Sequence, residues 1–80
     1  MKTSPQLIGN IIGQLKGIRR MMEEEKDCVE VLIQIKAAKS ALDSVTVKFI
    51  NQDFSNCMEG ITPSKKRRVQ VLLAELAKLG

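Results

Sequence analysis

The chain has 80 residues and a net charge of +4, and 44% of its residues are hydrophobic. This apolar content is typical of a folded domain and excludes an intrinsically disordered chain. Because so short a chain has little room to bury a core, we expect one domain over residues 1–80 that associates with copies of itself. The excess of Lys and Arg suits an acidic partner such as DNA, although many helical proteins with solvated faces have a similar excess.

The sequence contains neither a signal-peptide pattern nor a membrane-spanning pattern. The sequence has no long N-terminal apolar run before a cleavage site, and no apolar stretch long enough to cross a membrane. We therefore expect a cytoplasmic protein without membrane contact, in which cysteines are normally kept as thiols.

The first predicted helix covers about residues 5–25. Ser4 followed by Pro5 is typical of a helix start, since Ser is a favoured N-cap and Pro suits the first helical position. Apolar residues then recur at helical spacing; they are Ile8, Ile11, Ile12, Leu15, Ile18 and Met22. Three glycines four residues apart would permit close approach of another helix; they are Gly9, Gly13 and Gly17.

The second predicted helix covers about residues 28–58. Asp27 and Glu30 have the spacing of a capping box at its start. Its apolar positions alternate steps of four and three, as in heptad packing; they are Val31, Ile35, Ala38, Leu42, Val45 and Phe49. A second apolar set widens this face and consists of Val29, Leu32, Ile33, Ala37, Ala41, Ile50 and Phe54. We expect so wide a face to contact more than one partner.

The third predicted helix covers about residues 63–79. Gly60 is expected to end the second helix, and Thr62 with Pro63 to begin the third. Its apolar positions are Val69, Leu72, Leu73, Leu76 and Leu79, and Gly80 closes the chain. Because the sequence has no hairpin dipeptide and no sustained alternation of apolar and polar residues, the predicted fold class is all-α, with a three-helix subunit.

Cys28 and Cys57 lie at the two ends of the second predicted helix, 29 residues apart. On one continuous helix this separation is about 43 Å, whereas a disulfide needs Cα atoms within about 7 Å. The two thiols therefore cannot meet within one chain unless the helix breaks. They can meet across an antiparallel helical dimer, whose two-fold axis would create two equivalent Cys28–Cys57′ sites. The alternative is that both are buried thiols that pack as small apolar residues. Cys28 lies at a helix N-terminus near Lys26, which favours a thiolate, although Asp27 opposes this effect.

Catalysis is not expected. The chain contains no histidine, which excludes a Cys–His nucleophile pair, a Ser–His–Asp triad and histidine-ligated zinc sites. The run Glu23-Glu24-Glu25 is a solvated surface segment, and the glycines fit no phosphate-binding loop. We therefore expect neither enzyme activity nor a cofactor.

Four segments resemble the copper-sensing operon repressor family, which includes the CsoR, RcnR and FrmR regulators. They are residues 13–18 (GQLKGI), 21–24 (MMEE), 27–35 (DCVEVLIQI) and 37–42 (AAKSAL). The resemblance covers residues 6 to about 58 and includes the 29-residue cysteine spacing. It implies a three-helix subunit, an antiparallel dimer and a dimer-of-dimers tetramer that binds operator DNA until an inducer arrives.

Two departures from the family pattern concern the inducer. Copper sensors of the family use Cys, His and Cys, with the His four residues before the second Cys, where this chain has Asp53. A carboxylate is a hard ligand and suits Cu(I) poorly. Asp27 replaces the Tyr that precedes the first Cys. Both departures make this chain similar to the persulfide-sensing branch of the family, CstR. This resemblance implies that Cys28 and Cys57 are sensor thiols and that the inducer is a low-molecular-weight persulfide or polysulfide. It implies no metal.

A further departure concerns DNA binding. The first helix of the family usually reads R-L-x-R-I-x-G-Q, whereas residues 7–14 read LIGNIIGQ and lack both arginines. The remaining candidate phosphate contacts are Lys16, Arg19, Arg20, Lys36 and Lys39. Alternatively, these cations belong to solvated helix faces and form ion pairs with acidic residues four positions away, such as Arg19 with Glu23.

A second basic segment begins the third predicted helix. Lys65, Lys66, Arg67 and Arg68 are consecutive cations, and cations in the first turns of a helix oppose its dipole. This placement favours an anionic partner over a merely solvated face.

Three hypotheses follow for function. The leading one is a homotetrameric DNA-binding repressor switched by sulfur chemistry at Cys28–Cys57′. The second is a repressor that senses Cu(I) or another metal through Cys28, Cys57 and Asp53. The third is a thiol or sulfur carrier, or an adaptor, that does not bind DNA, and the missing arginines favour it.

Overall fold

The computed structural model describes residues 2–77. Its helices are α1 (Ser4–Glu23), α2 (Cys28–Lys48), α3 (Phe54–Cys57) and α4 (Pro63–Leu76), and a π-helical turn, Phe49–Asp53, joins α2 to α3. Since the backbone stays helical from α2 through the π turn into α3, the described residues form three helical segments. No strand occurs within residues 2–77, and the predicted all-α class is confirmed. The predictions for Leu79 and Gly80 fall outside the described residues.

The start of α1 differs from the prediction by one residue. Thr3, not Ser4, is the N-cap. The Gln6 backbone N–H donates to Thr3 Oγ1 at 3.3 Å, and the Thr3 N–H donates to Gln6 Oε1 at 2.9 Å. This capping box satisfies two backbone donors and leaves the Ser4 hydroxyl available for a contact elsewhere.

The turn between α1 and α2 is built without glycine. The N–H of Glu25 donates to the carbonyl of Met22 and that of Lys26 to the carbonyl of Met21, which is the Schellman pattern of a helix C-terminus. Glu25 has a φ of 55°, the left-handed conformation that this motif requires. Asp27 is the N-cap of α2 but makes no side-chain capping hydrogen bond, so the predicted capping box with Glu30 is wrong.

The core of the subunit lies between α1 and α2 and is small. The buried apolar residues are Ile11 and Ile18 of α1 and Ala38 and Val45 of α2. Much of the predicted heptad face stays exposed: Leu42 is 48% and Ile35 is 40% accessible. A β-carbon added to the helical glycines of α1 would meet no atom within 4 Å, so their predicted close helix contact is not made within the subunit.

The π turn ties the end of α2 to the start of α1. Just before it, the hydroxyls of Ser44 and Thr46 donate to backbone carbonyls four residues earlier, at 3.1 and 3.0 Å, a contact that bends helices. The rings of Phe49 and Phe54 meet edge to face, with centroids 6.3 Å apart. The Lys48 ammonium donates to the carbonyl of Lys2.

The fourth helix begins after a short connection and contributes no buried residue. Gly60 has a φ of 68°, a left-handed conformation that suits the predicted helix stop. Thr62 is the N-cap of α4 and accepts a hydrogen bond from the Lys65 N–H at 3.3 Å, as its sequence predicts. Within residues 2–77, no helix has the length and apolar character of a membrane span.

Candidate thiol sensor and nucleic-acid interface

Cys28 is the first residue of α2 and is exposed. It lies on a hollow of about 680 Å³ beside the α1–α2 turn, which we call the tip groove. The lining residues are Met22, Glu25, Lys26, Cys28, Val31, Leu32 and Ile35. The thiol is therefore accessible to a small molecule or to a second chain, and the alternative of a thiol packed in the subunit core is wrong.

Cys57 is the last residue of α3 and is also exposed. The rod formed by α2, the π turn and α3 separates it from Cys28 by about 43 Å, which nearly matches the 49 Å long dimension of the subunit. No disulfide between the two thiols can form inside this subunit. The structure places the predicted sensor cysteines at opposite ends of one rod.

Asp53 is the last residue of the π turn and is half-buried. Its carboxylate accepts a hydrogen bond of 3.0 Å from Ser4 Oγ, and Ser4 is only 8% accessible. Because Ser4 begins α1, the carboxylate also lies near the positive end of that helix dipole. Asp53 therefore has a structural contact of its own, which fastens the π turn to α1.

Ser4 is a site residue that the sequence did not predict in this role. It is 49 positions from Asp53, and no local pattern connects the two. The π turn was likewise not predicted, since its apolar positions continue the helical spacing of α2. Only the tertiary fold reveals that the position four residues before Cys57 is held by the start of α1.

Within residues 2–77 of the single subunit, no cluster of three or more His, Cys, Asp or Glu residues is arranged to hold a metal ion.

The candidate DNA contacts lie on the half of the α1–α2 hairpin nearest its turn, and all five are exposed. On α1, Lys16 and Arg19 border a hollow with Leu15. Leu15 also borders the neighbouring hollow that includes Lys39 of α2. Lys16 and Arg19 thus border one hollow and Lys39 borders the adjoining one. Arg20 and Lys36 line neither hollow.

The second basic segment occupies the first two turns of α4. Lys65, Lys66, Arg67 and Arg68 are all exposed, and the first turn of α4 contains no acidic residue. This segment follows Cys57 along the chain, after residues 58–62, whereas the basic residues of α1 and α2 lie toward the α1–α2 turn. The structure does not bring it together with the basic residues of α1 and α2 in the same subunit.

Comparison with known proteins identifies similar regulators. Residues 6–79 match the family model described as metal-sensitive transcriptional repressor. The copper-sensing transcriptional repressor RicR of Mycobacterium tuberculosis is 48% identical over 46 residues, which are 58% of this chain and 48% of that protein. The copper-sensing transcriptional repressor CsoR of Bacillus subtilis is 33% identical over 48 residues, 60% of this chain and 48% of that protein. The chain thus spans about half the length of these curated relatives, and no solved structure matches it.

Proposed function

Since this chain belongs to the metal-sensitive transcriptional repressor family, whose members are regulators and not enzymes, we propose that it is a cytosolic repressor that binds operator DNA and is released by chemistry at an intersubunit Cys28–Cys57′ pair. The observation that carries this proposal is the location of two exposed thiols at opposite ends of one rod. An antiparallel dimer of such rods brings each Cys28 to the Cys57 of its partner. Two such dimers form a tetramer with a composite DNA-binding surface.

The proposed inducer is a low-molecular-weight persulfide or polysulfide. The Cys28 thiolate attacks the outer sulfur of a persulfide, R–S–SH, giving Cys28–S–SH and the thiolate R–S⁻. The Cys57′ thiolate then attacks the Cys28 sulfur, forms the Cys28–Cys57′ disulfide and expels hydrosulfide. Both steps are thiol–disulfide exchanges that need two thiols within reach and no metal.

Asp53 supports sulfur chemistry over copper sensing. The chain contains no histidine, and the residue four positions before Cys57 carries a hard carboxylate that suits Cu(I) poorly. That carboxylate is engaged by Ser4 at 3.0 Å, and a metal would have to displace this contact. The soft groups at the proposed site are then the two thiols and the thioether of Met22, which lines the tip groove with Cys28.

Metal sensing is the second candidate, and the comparisons favour it. Both curated relatives are named copper-sensing repressors. In this alternative, Cys28 and Cys57′ bind Cu(I) or another metal with Asp53 as a third ligand. Without a histidine, we expect copper affinity below that of a site with two thiolates and one imidazole.

The test is a gel-shift titration with DNA from upstream of the protein's own gene. We expect binding at low salt, release by an organic persulfide and no release by Cu(I). The variant Asp53→His serves as the matched control, because it adds the imidazole ligand and should raise Cu(I) affinity without removing either thiol.

Two results of this titration would contradict the proposal. Release by Cu(I) with no response to persulfide would replace sulfur sensing with metal sensing. Absence of DNA binding even at low salt would overturn the repressor assignment in favour of a carrier or adaptor.

A further inference from the structure

Helix α4 is amphipathic but buries no residue in the subunit. Its apolar positions follow the i, i+3, i+4, i+7 spacing of a helix that binds in a groove; they are Val69, Leu72, Leu73 and Leu76. Leu72 and Leu76 are 53% and 41% accessible. The helix therefore presents an apolar face, preceded by the four cations of residues 65–68.

The α1–α2 turn has the complementary character. Five of the nine acidic residues of the chain lie within residues 23–30, all of them exposed; we call these residues, Glu23, Glu24, Glu25, Asp27 and Glu30, the acidic tip. Beside the acidic tip lies the tip groove, whose lining is mainly apolar and comes from α1, the turn and α2. Leu32 of this lining is 64% accessible, and Val29, which follows Cys28, is 61% accessible. Lys26 is the one cation among residues 23–30.

We propose that α4 of a second copy of this chain docks on the tip groove, with Lys65, Lys66 and Arg67 against the acidic tip, and completes the surroundings of Cys28. The proposal rests on the antiparallel dimer of the proposed function, which places the Cys57 end of one subunit beside the Cys28 end of its partner. Residues 58–62 connect Cys57 to α4, and the six Cα–Cα steps from Cys57 to Pro63 span at most about 22 Å. The start of α4 therefore stays near Cys57, and so near the partner's Cys28.

Charge and apolar surface both favour a second copy as the occupant. Each subunit carries a cationic segment after the Cys57 end of its rod and an acidic tip at the other end. An antiparallel pair of subunits therefore forms two equivalent contacts between opposite charges. Opposite charges on facing surfaces fix the orientation of the two chains and speed their association. A parallel pair would instead place like charges together.

The docking has a consequence for the sensor thiol. In the isolated subunit, Cys28 shares the tip groove with one carboxylate, Glu25, and one ammonium, Lys26. Docking of the partner's α4 would bring further cations beside Cys28, and nearby cations favour the nucleophilic thiolate. The proposed sensor would then be reactive in the assembled dimer and less reactive in a dissociated subunit.

The test is a charge swap in the full chain. One variant carries Lys65→Glu, Lys66→Glu and Arg67→Glu, and a second carries Glu23→Lys, Glu24→Lys and Glu25→Lys. We expect each to weaken dimerisation by about tenfold or more at low salt, since several ion pairs become like-charge contacts. The combined variant has the wild-type net charge of +4 and should recover most of the dimer affinity, as measured by sedimentation.

Two further measurements distinguish weaker dimerisation from a loss of folding and from a loss of DNA binding. Glutamates at the start of α4 favour its helix dipole, so the first variant should keep its helix, which circular dichroism checks. Cys28 alkylation should slow in each single-sided variant and recover in the combined one. If the residue 65–67 variant loses DNA affinity while dimerisation is unchanged, the segment binds phosphate and the proposal is wrong. A combined variant that dimerises no better than its parents would also overturn it, even where operator binding and persulfide release hold.

Discussion

At the scale of single residues, the decisive contact is the hydrogen bond from Ser4 to Asp53. The sequence identified Asp53 as the position of a missing histidine, but it could not show that the carboxylate is already engaged. The contact joins residues 49 positions apart, and such pairs depend on the tertiary fold. The two thiols were predictable because helical rise alone sets their separation.

The Ser4 contact leads to a stability prediction. Ser4→Ala should lower the free energy of unfolding by about 1 kcal/mol, because it removes a donor to a half-buried carboxylate. Urea unfolding at a fixed protein concentration measures this change, since the stability of an oligomer depends on concentration. Ser55→Ala, at an exposed serine of α3, is the control and should change stability by less than about 0.5 kcal/mol. Equal effects of the two substitutions would mean that the Ser4 hydroxyl contributes nothing.

At the scale of the elements, apolar spacing and N-cap residues predicted three helical segments, and the start of α4 is as its sequence indicates. Details governed by backbone geometry were not predicted. The left-handed Glu25 ends α1 without a glycine, and the π turn interrupts the long helix without a break in apolar spacing. Asp27 occupies the N-cap position without making the predicted hydrogen bond, because spacing predicts where a cap lies and not which rotamer its side chain adopts.

The exposed heptad face of α2 leads to a second prediction. Leu42→Asp should dissociate or unfold the assembly, because it places a charge in an apolar interface. Leu42 is 48% accessible in the subunit, so dissociation of a still helical chain is the expected result. Ser40→Asp introduces the same charge at an exposed position of α2 on the opposite side of the helix and should leave the oligomer intact. Sedimentation and circular dichroism distinguish these outcomes; an unchanged oligomer for Leu42→Asp would show that this face is not the interface.

At the scale of the whole molecule, only four apolar residues among residues 2–77 are buried, within a form 49 Å long. We expect a subunit with so small a core to bury further apolar surface by association. Length and composition alone led to the same expectation, although they could not indicate which surfaces the subunit leaves exposed. Oligomer geometry is a property of several chains, and the proposed antiparallel dimer follows from the thiols and the opposite charges at the two ends.

The basic surface near the α1–α2 turn leads to a third prediction. Operator affinity should fall steeply as salt rises, because phosphate contacts release counterions. Replacing Lys36 and Lys39 together by Glu should weaken binding to all DNA sequences by a similar factor and reduce the salt slope. Fluorescence anisotropy with operator and unrelated duplexes measures both effects, and Lys2→Glu, at the other end of α1, is the control. A variant that loses only operator specificity would assign these lysines to base contacts.

The most direct test of the central claim is cross-linking by an organic persulfide, followed on a non-reducing gel and by peptide mass spectrometry. We expect a covalent dimer, reversible by reductant, in which Cys28 of one chain is joined to Cys57 of the other. Cys28→Ser should abolish the dimer, and Cys57→Ser should accumulate an unresolved persulfide at Cys28. Bridges found only within single chains, or no sulfur transfer to Cys28, would contradict the proposed intersubunit switch.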